Sequence, residues 1–80
     1  MTPAQLEALR ESRAELAALR VTLRRERADL ALLALEATSH EDPAPAEILY
    51  ALHNLADTDR ALTTALEALR PLLDAEESER

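Results

Sequence analysis

Few side chains in this sequence have the type and spacing to do chemistry. Glu26 and Asp59 are carboxylates at positions where the surrounding repeat places apolar residues. Two carboxylates brought face to face on neighbouring helices repel, so one keeps a proton or the pair takes a cation. Carboxylate metal sites in helical bundles use that second route. The other outcome is a polar layer that fixes register or partner, bridged by arginine or water. Arg27 flanks the row, and Arg24 and Arg60 stand further round. The designed di-iron bundles also carry Glu-x-x-His, a spacing this chain lacks. The reading is therefore a structural polar layer of Glu26 and Asp59, with no metal required. A carboxylate metal-binding bundle with those two residues as ligands is the alternative.

The remaining candidates point away from catalysis. His53 and Asp57 stand four residues apart and read as a hydrogen-bonded surface pair. Arg20, Arg24, Arg25 and Arg27 form a basic cluster that could meet phosphate. A net charge of −7 and a single aromatic residue argue against a nucleic-acid binder. There is no cysteine for a thiolate, and no glycine for a phosphate-cradling loop. No serine has a histidine and an acid arranged to activate it. The expectation is a protein that is not an enzyme and uses no cofactor.

The elements that position these residues follow from composition. Alanine and leucine supply 17 residues each of the 80, and only one Val, one Ile and one Tyr favour strand. Thr2-Pro3-Ala4-Gln5 reads as a capping box with proline in the first turn. From there nothing breaks a helix over about residues 3–39. A turn is expected over about 40–44, where Asp42 caps a helix whose first turn holds Pro43 and Pro45. That second helix runs over about 45–77, with a kink or an end near Pro71 and a frayed acidic tail from Asp74. The fold class is all-α: a two-helix antiparallel hairpin, coiled-coil-like, in a single domain spanning residues 1–80.

A 3/4 repeat runs through Leu9, Ser12, Leu16, Leu19, Leu23, Glu26, Leu30, Leu33 and Ala37. A second runs through Ile48, Leu52, Leu55, Asp59, Leu62, Leu66, Leu69 and Leu73. Such spacing keeps one seam towards a partner. In an antiparallel hairpin, facing residues have numbers with a constant sum. A sum of 85 pairs Leu33 with Leu52, Leu30 with Leu55, Leu23 with Leu62 and Leu19 with Leu66, and it sets Glu26 opposite Asp59. The bend then falls at the prolines.

One seam cannot bury the apolar surface present. Ala14, Val21, Ala28, Leu32 and Leu35 form a further stripe, and Leu49 and Ala56 extend it on the second helix. A helix apolar on several faces is normally covered on several faces. The expected partner is a second copy, a dimer closing a four-helix or larger bundle, or else another helical protein. The longest apolar run, Leu30 to Leu35, is too short to span a bilayer. The N-terminus has no basic region followed by an apolar run. No membrane role is expected, and the reading is a soluble protein, cytoplasmic or recombinant and not secreted.

The length, the Thr2 capping box, the Asp42-Pro43 start, the unbroken leucine register and the lack of glycine carry a resemblance across the whole chain. It resembles de novo designed helical hairpins built as subunits of symmetric helical-bundle oligomers. That resemblance implies self-assembly into a homo-oligomer. A natural assembly protein from a GC-rich genome would share the Ala-, Leu- and Arg-rich composition. In either case the function expected is structural self-association, with helix-to-helix binding of another protein as the alternative.

Overall fold

The computed structural model describes residues 1–39 and 41–78, with side chains described up to Glu76. His40, at the start of the expected turn, lies outside the described residues. Two helices account for the fold, α1 over Pro3–Ala37 and α2 over Ala46–Ser78. They form a rod 62 Å long and 15–16 Å across.

Each helix end has a local cause. At the start of α1, Thr2 Oγ1 accepts from the Gln5 N–H at 3.1 Å, and Gln5 Oε1 accepts from the Thr2 N–H at 2.9 Å. That reciprocal pair satisfies two backbone donors the helix itself cannot. α1 ends at Ala37 because Thr38 turns extended, at ψ 128°. The Thr38 N–H still donates to the Ala34 carbonyl at 3.1 Å, and its hydroxyl to the same oxygen at 2.8 Å.

The turn differs from the expected cap. Asp42 does not open α2; its backbone closes a small loop with Ser39. The Ser39 N–H donates to the Asp42 carbonyl at 2.7 Å, and the Asp42 N–H donates to Ser39 Oγ at 3.0 Å. α2 opens three residues later, with the Pro45 carbonyl accepting from Ile48 N–H at 3.0 Å. The reason lies in Pro45, whose ring pushes the preceding residue, Ala44, out of the helical region. Among the described residues no backbone φ is positive.

Pro71 does not end α2, which continues through it to Ser78. The cost is local: Pro71 has no N–H to give the Glu67 carbonyl. The segment from Asp74 to Ser78 is therefore helix rather than a frayed tail.

The core is thin. Leu6, Ala34, Ala44, Leu66 and Leu73 are its buried apolar residues, and among the described residues no large side chain is fully buried. The α2 seam faces inward as expected: Ile48, Leu52, Leu55, Asp59, Leu62, Leu66, Leu69 and Leu73 are all buried or half-buried. The α1 seam is only half as expected. Leu9, Leu16, Leu23 and Leu30 are half-buried, but Leu19 and Leu33 are 47% and 49% exposed. The flank that turns inward instead is Leu6, Arg20, Arg27 and Ala34. In a seven-residue repeat this moves the seam of α1 by about 50° around the helix axis.

The longitudinal register is unchanged by this rotation. The cross-helix contacts Arg20–Thr63, Arg24–Asp59 and Arg27–Asp59 have residue numbers that sum to 83, 83 and 86, bracketing the expected 85.

Candidate interaction surface

The rotation of α1 decides what becomes of the two seam carboxylates. Asp59 stays in the seam, its side chain 13% exposed. Its Oδ1 accepts from Arg24 Nε at 2.9 Å, and its Oδ2 lies 3.6 Å from Arg27 NH1. Both arginines reach it from α1 with their outer parts in solvent, as long cationic side chains do. Glu26 does not join them. It is exposed, on the side of the hairpin where Asp29, Leu30, Leu33 and Leu55 line a shallow groove. Turning Glu26 out and Arg27 in replaces carboxylate facing carboxylate by carboxylate facing guanidinium. A half-buried carboxylate without a cation would lose hydration with nothing in return.

One turn along, Arg20 NH1 donates to Thr63 Oγ1 at 3.4 Å, while the Arg20 Nε is buried and makes no hydrogen bond among the described residues. Three arginines seven residues apart, Arg13, Arg20 and Arg27, thus run along α1 where it meets α2. Periodicity reasoning missed this row because it sorts arginine to the outside. The available signal was Asp59 itself, an acid in a seam that needs a cation opposite.

Among the described residues no group of three or more His, Cys, Asp and Glu side chains is placed to hold a metal ion. The expected surface pair is present, with His53 Nε2 at 3.5 Å from Asp57 Oδ2, and Arg60 joins the same carboxylate. No helix among the described residues is long and apolar enough to cross a membrane.

The surplus stripe remains uncovered. Val21 is 57% exposed, Leu32 56%, Leu35 73% and Leu49 50%. Ala14 and Ala28 are exposed as well, and Ala56 is half-buried at the edge of α2. Leu19 and Leu33, turned out by the rotation of α1, add to this surface. No protein family, curated protein or solved structure matches the chain. Geometry and charge therefore carry the functional argument.

On the opposite flank of α1 from Glu26, two adjoining grooves run along the helix–helix boundary. Arg10, Arg13, Arg70, Leu73 and Asp74 line one, and Arg13, Ala17, Arg20, Leu66, Glu67 and Arg70 line the other. Arg10 pairs with Glu7 at 3.8 Å. Arg13 and Arg70 make no ion pair or hydrogen bond to a described residue. This leaves a concave, arginine-lined surface in the half of the rod that holds the two chain ends.

Proposed function

We propose that the protein is a structural self-associating module that forms a symmetric homodimer, two hairpins packing as a four-helix bundle. The observation that carries this reading is its surface. The chain exposes 6,039 Å², whereas a compact monomer of 8.8 kDa exposes about 4,800 Å². The excess of about 1,200 Å² exceeds the roughly 800 Å² that each partner gives up in a standard interface. Five large apolar residues of the stripe and of the outward flank of α1, Leu19, Val21, Leu32, Leu33 and Leu35, supply part of that excess. With so thin a core, covering them is the main stabilisation left to a small domain without disulfides.

The test is mass in solution. The parent chain should sediment as a dimer, and Val21→Glu with Leu35→Glu should shift it towards monomer while circular dichroism still reports helix. Each glutamate would lose several kcal/mol of hydration if held in the interface. A parent that stays monomeric at high concentration would sink the proposal. A monomer that binds a foreign amphipathic helix through this stripe would replace it with the binding-module reading.

A further inference from the structure

Sixteen acidic residues stand against nine arginines in this chain, so an arginine without an acid is unexpected. Two such arginines meet in one place. Arg13 on α1 and Arg70 on α2 both line the two adjoining grooves at the helix–helix boundary. Neither makes an ion pair or hydrogen bond to a described residue. Arg10 joins them in the first groove and Arg20 in the second. Arg10 is shared with Glu7 at 3.8 Å, and Arg20 commits one N–H to Thr63 at 3.4 Å. Glu67 lines the second groove without pairing to Arg13 or Arg70, and Asp74 lines the first. The lining thus sets four guanidinium groups against two carboxylates. Beneath them lie Leu66 and Leu73, each 7% exposed.

We infer that these grooves bind a phosphoryl dianion, gripped from two sides by Arg13 of α1 and Arg70 of α2, with Arg10 and Arg20 at its margins. Guanidinium groups crowded together without an acceptor repel, and an anion between them reverses that sign. The planar fork of arginine matches phosphate oxygens two at a time and stays charged at every working pH. A dianion also balances the excess of two positive charges in the lining, which a single carboxylate or chloride does not. The grooves measure about 410 and 300 Å³, within the size range of small-molecule sites. The phosphoryl group can therefore be the free ion or carry a small organic substituent over Leu66 and Leu73. A long polyanion is disfavoured by the net charge of −7 on the rest of the surface. The inference does not depend on self-association.

The test is a titration of the isotope-labelled parent chain with inorganic phosphate, followed by nuclear magnetic resonance of its backbone and arginine Nε–H signals. Chloride holds the ionic strength constant, so screening does not change. Two charged hydrogen-bonding contacts of ordinary strength correspond to a Kd of about 1 mM, with saturating shifts centred on Arg13 and Arg70. Arg13 and Arg70 are exposed, so Arg13→Gln with Arg70→Gln should keep the helix signal in circular dichroism. That pair should weaken phosphate binding by about tenfold or more. Glu67→Gln removes a competing acid and should tighten it by about twofold. Arg25→Gln, at an exposed arginine outside the grooves, should leave Kd unchanged. Phenyl phosphate distinguishes the sources: tighter binding than inorganic phosphate assigns an organic monoester, and equal or weaker binding assigns the free ion. No saturation by about 20 mM phosphate, far above the expected Kd, overturns the site. So does a Kd indifferent to the Arg13 and Arg70 pair, or one that Arg25→Gln weakens as much.

Discussion

Asp59→Asn tests the seam most directly, because the two possible arrangements of its carboxylates predict opposite signs. Asp59 is 13% exposed and held by Arg24 at 2.9 Å and Arg27 at 3.6 Å. A hydrogen bond to a charged partner contributes about 1.5–3 kcal/mol when sheltered. The arginines are 49% and 37% exposed, which brings the ion-pair share of Arg27 down to about 0.2–1 kcal/mol. Asparagine keeps the shape and one acceptor oxygen, so the expected loss is about 1–2 kcal/mol. For a domain this size that lowers the melting temperature by about 4–16 °C. Glu26→Gln is the internal control, and its exposed side chain predicts a change within about 0.5 kcal/mol. Had the two carboxylates faced each other, neutralising either would relieve repulsion, and both variants would melt above the parent. The assay is thermal melting followed by circular dichroism at one fixed protein concentration, since the proposed association would make the melting temperature concentration-dependent. An Asp59→Asn variant that melts at or above the parent refutes the arginine-bridged layer.

Two further substitutions probe the remaining irregularities. Pro71→Ala restores a donor for the Glu67 carbonyl within α2, and should stabilise the chain by about 1–3 kcal/mol in a denaturant titration; no gain would mean that the helix is held there by something other than its backbone. Arg20→Met removes a buried guanidinium nitrogen that makes no hydrogen bond and fills the same path with an apolar chain. The variant should be as stable as the parent or more so, and a loss beyond about 1 kcal/mol in the same titration would show that Arg20 does more than contact Thr63.

Much of the fold was legible from the residues, and the part that was not has a physical reason. The α2 seam, from Ile48 to Leu73, faces inward at every position of its repeat, in which Asp59 is the one polar residue. The register between the helices was legible too, since turn chemistry and leucine spacing agree. In α1 two flanks compete for the inside. Leu19 and Leu33 belong to one, and Leu6 and Ala34 to the other, with Arg20 and Arg27 between them. Counting leucines favours the first flank. Satisfying Asp59 and keeping Glu26 in water favours the second, and an unpaired buried charge weighs more than a half-exposed leucine. The end of α1 at Ala37 and the late start of α2 at Ala46 depend on single hydrogen bonds and on the ring of Pro45, which periodicity does not register. The arginine grooves were invisible to it for the same reason as the arginine row.

The rod's proportions, 62 Å by about 15 Å, have a consequence for how it comes apart. A globule shares one centre, so losing any part of it weakens all of it. Here each layer touches only the layers above and below. The turn ties the two helices together at one end of the rod. Opening can therefore run along the rod layer by layer, each step losing only its own contacts. For the isolated hairpin, folding is then a graded property of position along the rod. A second copy packed along the rod, as proposed, would couple the layers and link cooperativity to concentration.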